Sequence, residues 1–202
     1  MMKEVHHAIS FSRANPPTAG HALVFNKTKE VGDAHDGTHE AILSKSQDKK
    51  KNPLSVEDKV KFAKKITPGV NIVGATKEAP TLMHAAQAAY DRGVTHLHII
   101  AGSDRAQEYH DLLHKYNGKE GHYNFKKITI HSAGARDPDA EGTTGISGTK
   151  MREFAQNNDA ESYKKGLPDH AQKHAGTMMK AVRKGMMLES LSFKDYLTVA
   201  YL

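Results

Sequence analysis

The stretch Phe11-Ser12-Arg13-Ala14-Asn15-Pro16-Pro17-Thr18-Ala19-Gly20-His21 joins an apolar run, Val5–Phe11, to an amphipathic segment that begins near Gly20. Pro16-Pro17 imposes a stiff, extended turn, and Gly20 lets the backbone pass close to a bulky anion at the start of a helix. A strand, a turn and a helix in this order open a βαβ unit. The stretch therefore predicts an α/β fold and marks its first turn as a candidate ligand site.

The rest of the chain repeats this alternation of short apolar runs and longer amphipathic segments. The predicted strands are Val5–Phe11, Ala41–Ser44, Val70–Ala75, His96–Ala101 and Lys127–His131. The predicted helices run from Gly20 to about Val31, from Ser55 to Lys65, from Thr81 to Arg92, from Ser103 to Asn117 and from Ser147 to Asn157. Such alternation is typical of a doubly wound parallel sheet, which holds ligands at the carboxyl ends of its strands.

The chain after Asp159 is helical in pattern again, with a candidate helix Ala171–Lys184 and a closing apolar segment, Met186–Leu202. We therefore divide the sequence into an α/β domain, 1–157, and a C-terminal helical segment, 158–202, that packs on this domain or on a partner. Between the fifth strand and the helix after it lies a loop rich in Gly, Asp and Pro, Ser132–Gly145, whose length indicates a function.

Composition limits the class of protein. A chain of 202 residues with 38% hydrophobic and 26% charged residues has enough apolar content for one compact domain with a small appendage. It has no apolar stretch of the ~18–20 residues that a membrane span needs, and its first residues lack the apolar core of a signal peptide. We expect a cytoplasmic protein, in the host cytoplasm if a phage encodes it. The absence of cysteine excludes disulfides, thiolate metal sites and thiol nucleophiles.

Charge points to an anionic partner. Lys and Arg number 29 against 23 Asp and Glu, and the sequence pI is about 9.3. A net positive charge fits nucleic acid, a membrane surface or small phosphorylated molecules as the partner, and it does not distinguish among these three. The densest basic run, Lys49–Lys51, stands just before Asn52-Pro53 and is typical of a solvated loop.

Two loop-to-helix junctions carry groups suited to phosphate. His21 stands in the first turn of the first helix, where unpaired amides and the positive end of the helix dipole favour an anion, and Thr18 can direct a hydroxyl to the same place. In the second junction, Gly145–Phe154, Ser147 and Thr149 supply hydroxyls and Arg152 supplies a two-pronged donor. Either junction alone is also explained by a simple turn or a Ser-capped helix with a surface Arg. Together they favour one phosphate-binding crevice.

These two junctions carry a family resemblance. Asn15-Pro16-Pro17-Thr18-Ala19-Gly20-His21 and Ile146-Ser147-Gly148-Thr149-Lys150-Met151-Arg152 resemble the two signature turns of the nucleotidyltransferase superfamily, which includes cytidylyltransferases and the nicotinamide-nucleotide and pantetheine-phosphate adenylyltransferases. Ile99–Asp104 resembles a third conserved stretch of these enzymes, so the likeness spans Val5 to Phe154. Thr18 replaces a histidine found in many members, and Gly148 stands where the nicotinamide-nucleotide enzymes often have Ser.

The resemblance implies a Rossmann-like sheet of about five strands and transfer of AMP or CMP from ATP or CTP to a small phosphorylated acceptor, with release of pyrophosphate. Adenylyl transfer of the nicotinamide-nucleotide type is slightly favoured. It also implies Mg²⁺ as cofactor, carried by the nucleotide and not by protein side chains. The implied catalytic residues are His21, Thr18 and Arg152. Position adds Lys45 as a catalytic candidate, since it stands just past the second strand on a loop that, with Lys49–Lys51, could fold over the triphosphate or bind the phosphate of the acceptor. The candidate nucleotide- and phosphate-binding residues in the segments that resemble the family are Ser12, Arg13, Ala14, Asn15, Gly20, Gly102, Asp104, Ile146, Ser147 and Thr149, and Arg136 is added from its position after the fifth strand.

Several of these residues have equally simple structural explanations. Lys45 and Arg136 are typical of exposed loop residues, and Asp104 is typical of a helix N-terminus. The sequence contains 14 histidines, among them His110 and His114 on one helix face and His96 and His98 on one strand. Without a His-Glu-x-x-His motif, these pairs favour hydrogen bonding over a zinc site.

A second function remains open: a catalytically weak protein of nucleotide-binding fold that acts on nucleic acid or in an assembly. The segment Met186–Leu202 resembles short terminal segments of tailed-phage proteins, which would suit docking onto an assembly. Nucleic acid is disfavoured because few aromatic residues stand among the basic ones. The sequence gives no sign of a membrane partner and leaves a homo-oligomer open.

Overall fold

The computed structural model describes residues 3–134 and 145–188, which form strands and helices in alternation. The strands are β1 (His6–Ser12), β2 (Thr38–Leu43), β3 (Ile72–Gly74), β4 (His96–Ala101) and β5 (Lys127–Ser132). The helices are α1 (Ala19–Ala34), α2 (Val56–Ile66), α3 (Leu82–Asp91), α4 (Ser103–Tyr116), α5 (Gly148–Gln156), α6 (Ala160–Lys165) and α7 (Ala175–Gly185), with a 3-10 helix at Asp169–His174 before α7.

The five strands form one parallel sheet in the order β3-β2-β1-β4-β5. The chain moves outward from β1 to β3 and then returns across the sheet to β4, beside β1. Loops that leave neighbouring strands in opposite directions open a crevice at the carboxyl edge of the sheet. The predicted α/β class, a Rossmann-like doubly wound parallel sheet with a helical C-terminal segment, is confirmed.

Helices cover both faces of the sheet with apolar side chains. On one face α1 and α2 bury Phe25 and Phe62 against Leu43. On the other, the alanine-rich side of α3 and residues of α4 pack on Leu97 and Ile99. Burial of each such side chain contributes about 1.5–3 kcal/mol to folding. The sheet is therefore held rigidly beneath its carboxyl edge.

The C-terminal helices contribute to the first of these cores. Tyr163, Met178 and Val182 are fully buried in the same cluster as Phe25 and Phe62. Burial raises the pKa of Tyr163 well above its usual value. The main chain also comes close at Gly166, where a Cβ would lie 2.2 Å from the Met151 sulfur. The described part of 158–202 thus completes the core of the α/β domain.

Some boundaries of strands and helices differ from the predicted ones. The differences arise where polar residues join a strand or where apolar residues belong to a turn. β2 begins at Thr38, before the predicted Ala41, because Thr38, His39 and Glu40 pair with β1. β3 is shorter than predicted, since the amide of Val70 bonds in a turn to the carbonyl of Thr67. The predicted helix 171–184 divides into the end of the 3-10 helix and α7.

No helix in the described part of the chain is long and apolar enough to cross a membrane.

Candidate functional site

A groove of about 970 Å³ lies at the carboxyl edge of the sheet, between the ends of β1 and β4. Its walls come from the turn between β1 and α1, residues 50–52, the turn between β4 and α4, the first turns of α5, and Met186. This is the position at which the strand order reverses, where open α/β sheets bind their ligands. The fold thus brings to this groove both loop-to-helix junctions that the sequence predicts to bind phosphate.

The turn after β1 is fixed by a paired contact with the segment before α2. The Asn15 side-chain amide donates to the carbonyl of Leu54 at 3.0 Å, and the Leu54 amide donates to Asn15 Oδ1 at 2.9 Å. Ala14 adopts the left-handed region with φ 40°, which is uncommon for a residue with a Cβ. Ser12 Oγ, beside this turn, is buried and lacks a hydrogen-bond partner within residues 3–134 and 145–188. The turn is therefore tied to the segment before α2, and residues 12–15 line the groove.

His21 is oriented by the residue that caps its helix. Thr18 is the N-cap of α1, and its backbone N–H donates to His21 Nδ1 at 3.3 Å, while its hydroxyl lies 2.9 Å from the same nitrogen. Because Nδ1 accepts, the proton of the neutral ring stands on Nε2. Thr18 itself is 1% exposed and does not line the groove. Thr18 thus positions His21, and the predicted direct contact between its hydroxyl and a phosphate has no support in this arrangement.

Arg152 connects the two junctions. Its Nη1 donates to the carbonyl of Asn15 at 2.8 Å, and its Nη2 donates to Thr149 Oγ1 at 3.0 Å. Burial, and then the positive charge of Arg13, lowers the pKa of Arg152. The guanidinium groups of Arg13 and Arg152 are therefore close enough to repel each other, and together they make this wall of the groove strongly cationic. A guanidinium held on two sides also has a fixed plane, which suits recognition of phosphate oxygens.

Ser147 and its neighbours form the start of α5. Ser147 Oγ accepts from the Lys150 amide at 3.2 Å and is the N-cap of the helix. Ser147, Gly148 and Thr149 all line the groove, whereas Ile146 packs against the hydrophobic core. The first turn of α5 therefore presents backbone amides and the Thr149 side chain to the groove, in the arrangement that favours anions.

A basic loop lines the opposite wall. Asp48 accepts from the amides of Lys50 at 2.8 Å and Lys51 at 2.6 Å. These bonds and that of the Asn52 side chain lower the pKa of Asp48 to about 2. Lys50 and Lys51 line the groove, while Lys45 is exposed and lies outside it. The loop is thus an ordered turn that brings two lysines to the groove, and Lys45 is not brought to the other predicted residues.

Ten of the predicted residues meet at the groove. They are Ser12, Arg13, Ala14, Asn15, Gly20, His21, Gly102, Ser147, Thr149 and Arg152. Asp104 lies in the first turn of α4, but its side chain lies outside the described part of the structure, and so does the whole of Arg136. Sequence reasoning missed Arg105 and Tyr109, which line the groove from α4. Their spacing of three and seven residues after Gly102 was the available signal, since it places both on the helix face above that turn.

The charge of the groove is almost entirely positive. Arg13, Lys50, Lys51, Arg105 and Arg152 line it together with His21, and Glu153 carries the one carboxylate among the described lining residues. A wall with one sign of charge attracts and concentrates ligands of the opposite sign. The groove therefore suits a compact polyanion.

Comparison with known proteins supports the fold. No protein-family model matches the sequence, and no curated protein matches it. The structure is similar to apo TmcAL of Thermotoga maritima, with a TM-score of 0.53 and 13% identity over 88% of this chain and 57% of that chain. It is also similar to the same protein bound with alpha-thio ATP, with a TM-score of 0.54 and 12% identity over 91% of this chain and 57% of that one. This chain thus spans little more than half the length of TmcAL, with which it shares a fold.

Proposed function

We propose that the groove binds a nucleoside triphosphate and that the protein transfers its AMP or CMP unit to a small phosphorylated acceptor, with release of pyrophosphate. The observation that carries this proposal is the bond from Arg152 to the Asn15 carbonyl, which joins the two phosphate-type junctions on one cationic groove. A TmcAL structure bound with alpha-thio ATP supports a nucleotide as ligand for a groove of this fold.

The dimensions of the groove fit this class of ligand. Its volume of about 970 Å³ lies at the upper end of the ~300–1,000 Å³ common for small-molecule sites. The first turns of α1 and α5 both open into it, and the positive ends of the two helix dipoles favour phosphate oxygens there. A triphosphate between these two helix starts leaves the remaining volume for a nucleoside and an acceptor.

The proposed reaction is a direct displacement. A phosphate oxygen of the acceptor attacks the α-phosphorus of the triphosphate and forms the new P–O bond. The bond from the α-phosphorus to the oxygen that bridges it to the β-phosphorus breaks, and pyrophosphate leaves with the electron pair. No protein nucleophile is required, so catalysis consists of positioning and of neutralising charge as it moves outward.

The side chains on the groove supply that neutralisation. The Nε2–H of His21 is set by Thr18 for donation to an α- or β-phosphate oxygen. Arg152 and the amides at the start of α5 hold the departing pyrophosphate, and Lys50 and Lys51 approach the phosphates from the other wall. These donors are preorganised by hydrogen bonds of the protein, which avoids reorganisation during the reaction.

Mg²⁺, the expected cofactor, finds few protein ligands here. Among the described lining residues Glu153 alone is a carboxylate, whereas dedicated Mg²⁺ sites need octahedral oxygen coordination. This donor set fits an ion carried by the phosphates of the nucleotide and not one held by the protein.

A pyrophosphate-release screen tests the proposal. The four NTPs, each with Mg²⁺, are offered with nicotinamide mononucleotide, nicotinate mononucleotide, glycerol 3-phosphate, phosphocholine or pantetheine 4′-phosphate. We expect release with one NTP and one acceptor together, with ATP slightly favoured over CTP, and loss of release in the variant His21→Ala. Saturable NTP binding without release for any acceptor would instead favour a catalytically weak binding protein.

A further inference from the structure

Five histidines gather on the face of the sheet that α1 covers, away from the groove. His6 begins β1, His96 and His98 lie on β4, His131 lies on β5, and His35 is the C-cap of α1. Since α1 runs back over the sheet, its C-cap His35 reaches His6 of β1 and His98 of β4, with ring centroids 5.0 Å and 4.2 Å away. The cluster and the groove are thus at opposite ends of α1.

Three of these rings converge. His6, His35 and His98 each place a ring nitrogen within 4.8 Å of those of the other two. His6 Nδ1 and His98 Nε2 are 2.9 Å apart, and the ring centroids of His35 and His98 are 4.2 Å apart. Nitrogens bound to one tetrahedral zinc ion at ~2.0–2.1 Å stand about 3.3 Å apart. A shift of a few tenths of an ångström would therefore bring His6 and His98 to ligand spacing.

The second nitrogen of each ring has a partner that fits this geometry. His35 Nδ1 donates to the carbonyl of Val31 at 2.9 Å, which leaves the lone pair of the ring on Nε2. His6 Nε2 faces a Glu4 carboxylate oxygen at 3.4 Å, and His98 Nδ1 lies 2.9 Å from His131 Nε2. A carbonyl and a carboxylate are groups that orient metal-bound histidines in known sites, and the ring of His131 can accept from His98 in the same way. Each ring can therefore turn one unprotonated nitrogen toward the centre.

The surroundings also favour a cation. His35 stands at the C-terminus of α1, where the partial negative charge of the helix dipole attracts positive charge. Glu4 adds a carboxylate at the edge, and a second group of potential ligands, Glu4, His6 and His96, adjoins the first. His98 is buried, whereas His35 is exposed and leaves the site open to entry.

We infer that His6, His35 and His98 bind one divalent transition-metal ion, with zinc as the ion that three neutral imidazoles suit best. Imidazole ligands select zinc, copper, nickel and cobalt over Mg²⁺ and Ca²⁺. Three protein ligands leave the fourth tetrahedral position to solvent. The tautomer of His98 that zinc binding through Nε2 requires carries its proton on Nδ1, which lies 2.9 Å from His131 Nε2 and can donate to it.

The test uses the full chain after removal of metal with a chelator. Calorimetric titration with zinc chloride should give one saturable site per chain, and cobalt in its place should give the visible absorption of tetrahedral nitrogen coordination. His35→Gln and His98→Gln should each weaken zinc binding by more than about 100-fold, because loss of a ligand costs more than loss of an outer partner. His110→Gln is the matched control, because His110 and His114 stack on α4 as an exposed pair that belongs to no group of three potential ligands within residues 3–134 and 145–188.

Absence of a saturable site in the wild-type chain would overturn the inference. Unchanged zinc affinity in His35→Gln would do so as well, and this variant is informative because His35 is exposed and its replacement leaves the core intact. Loss of the site in His110→Gln would assign the metal to α4 and likewise contradict the proposal. The result does not depend on whether the groove transfers nucleotides.

Discussion

The guanidinium of Arg152 donates to the main-chain oxygen of Asn15 over 2.8 Å, although 137 residues separate the two in sequence. Asn15 in turn pairs through its side chain with Leu54. The side chain of Arg152 and the side-chain amide of Asn15 thus link the turn after β1, the segment before α2 and the start of α5. The groove depends on this link for its shape as well as for its charge.

Arg152→Lys should lower turnover strongly. An ammonium replaces two directed donors, to Asn15 and Thr149, by a single point charge on a flexible stem. We expect kcat to fall by about 10²-fold or more and NTP affinity to fall with it, as for loss of one preorganised donor. Steady-state kinetics with varied NTP, and calorimetric titration of the acceptor alone, measure the two effects. Wild-type kcat in this variant, or an equal loss of acceptor binding, would contradict the assigned role.

His21→Ala should lower kcat by ~10²–10³, which corresponds to about 3–4 kcal/mol of transition-state stabilisation. His84→Ala provides a matched control. Thr81 caps α3, and its hydroxyl lies 2.8 Å from His84 Nδ1, as Thr18 and His21 are arranged at α1, yet His84 lies outside the groove. Both variants lose the same capping contact, so thermal melts should report similar small losses of stability. A fall in kcat of similar size in both variants would assign the effect to the helix cap.

The double variant Lys50→Gln/Lys51→Gln should raise the KM for NTP at least about tenfold, since each ammonium about 4 Å from a phosphate contributes ~1 kcal/mol even in bulk water. Lys45→Gln, in the same loop but outside the groove, should leave KM unchanged. The difference should shrink as salt is added. A larger effect at Lys45 than at Lys50 and Lys51 would restore Lys45 to the catalytic role predicted from its position after the second strand.

Gly185→Ala should destabilise the protein, whereas Gly176→Ala in the same helix should not. A Cβ at Gly185 would lie 2.0 Å from the Pro53 carbonyl oxygen, but one at Gly176 meets no atom within 4 Å. We expect a loss of ~1–3 kcal/mol for the first variant from the forced shift of backbone. The second should gain up to about 1 kcal/mol from reduced freedom of the unfolded chain. Urea unfolding measures both, and equal stability of the two variants would rule out the close approach.

Lys59 should make stability rise with pH. Its ammonium is fully buried and donates to Ser44, and burial lowers the pKa of Lys59 from 10.5 to about 8. Below about pH 8 the folded protein bears the whole cost of the buried charge. Between the folded and unfolded pKa values the unfolded chain binds more protons, so the free energy of unfolding increases with pH.

The corresponding experiment compares the wild type with Lys59→Met. Relative to that variant, the wild type should gain about 2 kcal/mol between about pH 7.5 and about pH 10. Urea unfolding at the two pH values gives the difference, and groups common to both proteins cancel. A constant difference across this range would show that the pKa of Lys59 is not lowered.

Much of the fold was predictable because its strands are continuous apolar runs bounded by turn residues. The bounds of β4, His96–Ala101, agree with the sequence prediction, because its apolar residues form a short run that turn signals bound, even though His96 and His98 lie within it. The start of β2 was missed because Thr38, His39 and Glu40 look like loop residues until their pairing with β1 is known. Edges of elements depend on such partners, which a single sequence does not display.

The candidate site was predictable where a short sequence motif includes both the functional side chain and the helix start that positions it. His21, Ser147 and Arg152 stand at helix starts that are visible in the sequence, and all three line the groove. For Lys49–Lys51 the sequence left two interpretations open, a solvated loop and a loop that folds over phosphates. The Asp48 bonds that shape this turn are local, but only the structure shows that Lys50 and Lys51 line the groove. The sequence predicts that Thr18 stands at the start of the first helix, but only the structure shows that its backbone amide donates to His21 and so orients that ring.

The contribution of α6 and α7 to the main core bears on when the groove forms during synthesis. Residues up to Gln156 include every described groove residue except Met186. They lack Tyr163, Met178 and Val182, which fill the core beneath α1 and α2, and Gly166, whose carbonyl accepts from the first amide of α1 at 2.9 Å. A nascent chain that has emerged only as far as α5 thus carries nearly all the ligand-binding groups without the support that holds them in place. Competence to bind should therefore arise in a single late step, when α7 docks, and a prematurely terminated product should be inactive despite its complete set of motifs.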